Sequence, residues 1–222
     1  MGANGPRDRG SPSAPDGWAM TIRPGEDDDA ADAGRLHAGR IGDGFLSFLG
    51  PAFLTRLYRR IARNPSSFLL VADTSGDVVG FIAGSADVGG LYRSFLVRDG
   101  FAAGLVAAPR LVSGWRQVLE TLHHGSGEGA GSGRGTELLA IAVDPNYEGQ
   151  GVGTALVATF LDRVATSGAT EAYVIVGADN VGAIGLYGRA GFVAGDEFEL
   201  HAGSRSLVMQ WNRAAPGDCV DS

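Results

Sequence analysis

The residues best suited to chemistry stand together in Asp144-Pro-Asn-Tyr-Glu-Gly-Gln-Gly-Val-Gly-Thr154, directly after the apolar run Glu137-Leu-Leu-Ala-Ile-Ala-Val143. The pattern reads strand, glycine-punctuated turn, then a helix to about Ala165. A helix leaves its first N–H groups without intrahelical partners, and its dipole favours negative charge at that end. Glycine lets the backbone approach a ligand with no Cβ in the way. The N–H groups of Gly149, Gly151, Gly153 and Thr154, with Gln150 and Val152 between them, are therefore expected to cradle a phosphate. All 18 basic residues are arginine and the chain has no lysine, which removes the Walker lysine of P-loop nucleotide binding and any Schiff-base lysine.

A second pattern follows. Glu171-Ala-Tyr-Val-Ile-Val176 alternates as a strand, and Asn180-Val-Gly-Ala-Ile-Gly-Leu-Tyr-Gly-Arg-Ala-Gly-Phe192 reads as a short helix ending at glycine. Over residues 137–192 the chain resembles the Gcn5-related N-acetyltransferases. The acetyl-CoA motif of that family, Q/R-x-x-G-x-G/A, falls on Glu148, Gly151 and Gly153, and its closing pattern N-x-x-A-x-x-L-Y-x-x-x-G-F falls on Asn180, Ala183, Leu186, Tyr187, Gly191 and Phe192.

The resemblance implies an α/β fold: a mixed, mostly antiparallel sheet with helices on both faces, splayed at the strand of Ile141. It implies acetyl-CoA as cosubstrate and direct transfer of the acetyl group to a primary amine in a ternary complex. Residue by residue, it implies that Glu137, 11 positions ahead of Glu148, is the general base, as in histone-type members. It implies that the N–H groups of Ile141 and Val143 meet the thioester and pantetheine arm, that Asn180 bonds the pantetheine amides, and that Tyr187 faces the CoA sulfur. From the residues alone, Glu137 also reads as a strand-end surface carboxylate, Asn180 as a helix N-cap and Tyr187 as a core tyrosine. A glutamate near its ordinary pKa of about 4.3 is a feeble base for an amine, so the base role requires burial or a relayed water. A phenol near 10 is a poor acid toward a thiolate near 8.5, so Tyr187 is expected to hydrogen-bond the sulfur rather than protonate it.

Glu148 departs from the motif, because a carboxylate beside a pyrophosphate repels it. Shifting the motif onto Gln150, Gly153 and Ala155 would restore a glutamine but would take Pro145 and Glu137 out of their usual offsets. A Rossmann dinucleotide site competes for the same glycines. That fingerprint wants a short turn after the strand and a third glycine three residues on, whereas Asp144 to Tyr147 intervene here and Ala155-Leu156 follow. A non-catalytic acyl-CoA-binding module and a protein N-terminal acetyltransferase stand as alternatives within the same resemblance.

The elements that must position these residues extend well beyond the motifs. With 222 residues, 44% of them hydrophobic, one domain over residues 18–212 can bury its own core. Residues 1–17, rich in Gly, Pro, Ser and Arg, read as a disordered leader, and residues 213–222 as a loose tail. Trp18-Ala-Met-Thr-Ile-Arg23 reads as a first strand. Acidic residues 26–29 read as helix-start charges rather than a metal site, and no metal is expected. Helical spacing runs through Leu36, Ile41, Phe45, Leu46 and Leu49, and resumes after Pro51 through Phe53, Leu57 and Ile61. Strands 67–72 and 78–84 flank a loop at Asp73-Thr-Ser-Gly-Asp77. Residues 91–122 form a long apolar region, 125–135 a flexible glycine linker, and 197–201 with 204–211 a closing hairpin.

Net charge is -7, so no basic face suits nucleic acid. No apolar run approaches the roughly 20 residues of a membrane span. Cys219 is the single cysteine, which fits a reducing, cytoplasmic setting. The expected partner is a small-molecule amine acceptor enclosed by the apolar region, and homodimerisation stays open.

Overall fold

The computed structural model describes residues 20–41, 49–98, 135–201 and 204–213. The expected leader, Trp18, Phe45, Leu46, residues 99–122, the glycine linker apart from Gly135, and the tail from 214 with Cys219 lie outside them. The described elements are β1 (Met20–Pro24), α1 (Ala30–Arg40), α2 (Pro51–Arg63), β2 (Ser67–Thr74), β3 (Asp77–Ser85) and α3 (Val88–Arg98). After these come β4 (Thr136–Val143), a single 3-10 turn (Pro145–Tyr147), α4 (Val152–Thr166), β5 (Glu171–Gly177), α5 (Val181–Arg189), β6 (Val193–His201) and β7 (Ser204–Asn212).

Seven strands form one sheet in the order β1-β2-β3-β4-β5-β7-β6. Every neighbouring pair is antiparallel except β4 with β5. The expected mixed, mostly antiparallel sheet is therefore present. Side chains alternate along β2, and along β3 from Gly80 onward past a bulge at Val79, so each strand feeds two cores. Leu70, Ala72, Val79 and Ile82 pack with Leu156, Val157 and Phe160 of α4. Leu69, Val71, Phe81 and Ala83 pack with Leu36 of α1, Leu54 and Leu57 of α2, and Leu91 and Phe95 of α3. Burying both faces explains why β2 and β3 are apolar along their length rather than on every second residue.

The loop expected at 73–77 is shorter than its composition indicated. Thr74 pairs with Asp77, leaving a two-residue turn with Ser75 at φ 57° and Gly76 at φ 98°. Two positive φ values make a type I′ turn, whose twist matches that of the strands, so the polar residues Asp73 and Asp77 stay in the ladder. Asp73 and Asp29 both accept from the Arg23 guanidinium, which ties β1 to the hairpin and to the start of α1. Pro51 opens α2, where its missing N–H costs nothing. At the far edge β6 exposes Asp196, Glu197 and Glu199, charges that discourage pairing with another strand.

Candidate active site

β4 and β5 pair only over Thr136–Leu138 against Ala172–Val174, although β4 runs on to Val143 and β5 to Gly177. The cause lies on the other side of β4. Its register with β3 slips between Ala83 and Gly84, which face Ala140 and Leu138, so Leu139 is an extra residue. Such a bulge bends and twists its strand. Beyond it, Asp144 N donates to Val79 O at 2.8 Å. Alternation in an antiparallel ladder then aims the N–H groups of Ala142 at β3 and those of Ile141 and Val143 at the gap that β5 has left.

The glycine turn follows at the open end of this gap. Asp144 caps the 3-10 turn by accepting from Asn146 N at 3.0 Å, and Gln150 Nε2 donates to Asn146 O at 2.8 Å. Gly149 and Gly151 stand at φ 72° and 85°, a conformation costly to any residue with a Cβ, and Gly151 is the N-cap of α4. The first intrahelical bond is Ala155 N to Gly151 O, and among the described residues no acceptor meets the N–H groups from Gly149 to Thr154. A Cβ at Gly153 would lie 3.4 Å from Leu186 Cδ2, an ordinary contact, so α5 packs over this glycine without requiring it. The two positive φ values fall on the glycines flanking Gln150, which favours the register Glu148, Gly151, Gly153 over the one shifted by two.

Glu148 is exposed, and its Oε1 pairs with Arg40 Nη2 at the end of α1. A second arginine of α1, Arg35, stands 4.0 Å from the Asp144 carboxylate. The repulsion expected of Glu148 is thus offset by a cation from 108 residues away, one that the motif gives no reason to look for.

Glu137 sits in the paired part of β4, half-buried, with Tyr173 of β5 directly opposite in register. The Tyr173 hydroxyl donates to Glu137 Oε2 at 2.9 Å. Burial raises the Glu137 carboxyl above its ordinary value, and the Tyr173 hydrogen bond partly offsets this. Tyr92 of α3 feels the same carboxylate; burial first, then the Glu137 charge, pushes its phenol up to about 12. Tyr187 of α5 is 3% exposed, belongs to the same core as Leu156 and Phe160 of α4, and packs on Phe192 at 5.7 Å between ring centroids. Burial raises its phenol above the ordinary value. Among the described residues no hydrogen-bond partner of its hydroxyl is found. Asn180 caps α5, its Oδ1 accepting from Ala183 N at 3.1 Å.

A family model described as the acetyltransferase (GNAT) family matches residues 42–192. The chain belongs to this family. β1 and the β6–β7 hairpin extend the sheet on either side of the matched GNAT segment. Acetyl-CoA is the cosubstrate of the family. Over 78 residues the chain is 39% identical to mycothiol acetyltransferase of Kocuria rhizophila, a match covering 35% of this chain and 23% of that protein. Over 55 residues it is 42% identical to the [ribosomal protein bS18]-alanine N-acetyltransferase of Escherichia coli, covering 25% and 37%. The chain therefore spans well under half of the length of these curated relatives. Among solved structures, the ribosomal-protein-S18-alanine N-acetyltransferase from Escherichia coli has a TM-score of 0.58 at 16% identity, covering 92% of this chain and 100% of that one. The structure of yncA from Salmonella typhimurium with acetyl-CoA has a TM-score of 0.57 at 19% identity, covering 90% and 99%. Both share the GNAT fold seen here.

Proposed function

We propose that this GNAT protein is an acetyl-CoA-dependent N-acetyltransferase that acts on the primary amine of a small molecule by direct attack in a ternary complex. The observation that carries the proposal is the parting of β4 from β5 after Leu138, with a half-buried carboxylate at its closed end and unpaired N–H groups along its open side. A thioester in that gap would have its carbonyl polarised by backbone donors of Ile141 and Val143. The pyrophosphate of the cofactor would lie on the N–H groups from Gly149 to Thr154, beside the side chains of Glu148 and Gln150. Asn180 already spends its side-chain oxygen on the α5 cap, which leaves its amide N–H groups for the pantetheine arm.

In the reaction, Glu137 takes a proton from the entering ammonium, and the freed amine attacks the thioester carbon. The C–S bond breaks, the electron pair leaves on sulfur as CoA thiolate, and the second amine proton is lost to solvent. An alkyl amine near pKa 10 is about a thousandfold protonated at pH 7, so an unaided site would forfeit about 4 kcal/mol. A carboxyl raised by burial is the better base. Tyr187, whose phenol burial makes a still weaker acid, serves as a hydrogen-bond donor to the departing sulfur.

Two acceptor classes compete. The match to mycothiol acetyltransferase favours a small molecule, and the match to the bS18-alanine enzyme favours a peptide N-terminus. Release of free thiol from acetyl-CoA, screened against small amines and short peptides with free N-termini, decides between them. Release with neither, together with a thermal shift on acetyl-CoA, would mean a binding module. A shift on NAD but none on acetyl-CoA would sink the acetyltransferase reading.

A further inference from the structure

We propose that Tyr173 is the positioning residue of the base, fixing the Glu137 carboxylate by donating to Oε2 and leaving Oε1 as the oxygen that takes the proton from the acceptor amine. The inference rests on the base role proposed above for Glu137 and adds a residue that no sequence motif includes. The geometry is specific. Glu137 and Tyr173 are register partners at the centre of the three-residue stretch where β4 and β5 still pair, one step before the strands part. Leu138, Ala172 and Val174 on the neighbouring positions are buried in the α4 core, so the two polar side chains share the opposite face. The hydrogen bond, at 2.9 Å, therefore spans the closed end of the gap.

The chemistry explains why a phenol suits this place. A buried carboxylate without a donor drifts toward its neutral form and ceases to be a base, whereas a cation beside it would hold it so firmly ionised that it would no longer accept a proton. A neutral donor lies between these extremes. Burial and the Glu137 charge together raise the Tyr173 phenol above its ordinary value, so it remains a donor throughout the working pH range. Among the described residues, the titratable group acting on Glu137 is Tyr173 from β5, while Tyr92 from α3 feels the Glu137 charge in turn. From β3 its register partner is Ser85, whose hydroxyl accepts from Ser67 at 2.9 Å. Tyr92 interacts with Glu137 through charge alone, which makes it the natural control.

The hydrogen bond lowers the Glu137 carboxyl against the upward pull of burial, so its loss raises the carboxyl and the base is protonated at higher pH. The full chain, labelled at the glutamate side-chain carbons and titrated by NMR, gives the Glu137 midpoint, with Glu137→Gln identifying its signal. Tyr173→Phe should move that midpoint up by about 0.5 to 1 pH unit, and Tyr92→Phe should move it much less. Replacing the tyrosines with 3,5-difluorotyrosine strengthens the donor in an otherwise unaltered chain and should move the midpoint down, which covers the case of a poorly folded phenylalanine variant. A midpoint that stays put in Tyr173→Phe, or in the fluorinated chain if that variant does not fold, overturns the inference. If the midpoint moves while the acidic limb of kcat/KM stays, the Tyr173 contact stands and the base role of Glu137 is what fails.

Discussion

Replacing Glu148 with arginine should tighten acetyl-CoA binding, and the structure allows the competing effects to be weighed. The native pair Arg40–Glu148 is close to neutral. Glu148→Arg adds two positive charges beside a ligand whose pyrophosphate carries about two negative ones. At a separation on the order of 6 Å in water, each unit pair is worth about 0.7 kcal/mol, which screening at 0.1 M salt cuts to about 0.4. Four such pairs give about 1.5 kcal/mol in favour of binding. Against this stands the loss of an ion pair whose side chains are 39% and 50% exposed, worth at most about 1 kcal/mol and often much less. Charge therefore wins, by about 1 kcal/mol or roughly fivefold in Kd. At 1 M salt the Debye length falls to about 3 Å and the gain should shrink to less than twofold.

Titration calorimetry of the full chain with acetyl-CoA at both salt concentrations reads this directly. Arg40→Ala should act in the opposite sense, weakening binding by a factor of about two to three, because it leaves the carboxylate uncompensated beside the phosphates. Equal affinity in Glu148→Arg and the native chain would mean that side chain 148 does not feel the pyrophosphate. Weaker binding by the arginine variant at low salt would mean that the bridge to α1 orders the glycine turn and is worth more than an exposed pair ordinarily is. Either result would refute the argument from charge.

Tyr187→Phe should lower kcat by roughly 10- to 100-fold while acetyl-CoA affinity stays within about twofold, since the hydroxyl is needed when the thiolate forms; steady-state kinetics and calorimetry separate the two. Glu137→Gln should lose about tenfold in kcat/KM for each pH unit below the amine pKa, where the native enzyme stays flat down to the titration of Glu137; matching profiles would place the base elsewhere. Gly151→Ala forces a Cβ into φ 85° and should cost about 1–2 kcal/mol, a fall of several degrees in Tm on thermal melting, although nothing lies within 4 Å to obstruct the added carbon.

Most of the fold was legible because its signals are local. Pro51, the alternation of β5, the Asn180 cap and the glycine run each specify their own neighbourhood; α5 begins at Val181, directly after its cap, while α4 begins at Val152, inside the glycine run rather than after Thr154. The hairpin was misjudged by one or two residues at each end because Asp and Thr read as loop formers, while the Ser75-Gly76 turn and the Arg23 guanidinium hold them in strands. The readings of residues 99–122 and of the glycine linker up to residue 134 lie outside the described residues.

The candidate site was legible only along the chain. The family resemblance singles out Glu137, Tyr187 and the glycine turn within one stretch of sequence, whereas Tyr173 and Arg40 come from pairings across it. Tyr173 sits in a strand whose alternation marks it only as facing away from Ala172 and Val174; that it faces Glu137 depends on the parallel register of two strands separated by a whole helix. Arg40 reads as an ordinary basic residue in the last turn of a helix, where it suits the dipole, and it stands just ahead of the matched family segment while its carboxylate partner lies 108 residues further on, inside it. A bulge at Leu139 connects the two levels. One extra residue turns Ile141 and Val143 toward the gap, ends the pairing with β5 at Leu138, and so leaves Glu137 and Tyr173 as the last polar pair before the strands part. Deleting that residue would restore an uninterrupted ladder with β3 and exchange the faces of Glu137 and Leu138, which is why the motif alone, without the bulge that precedes it, does not make the site.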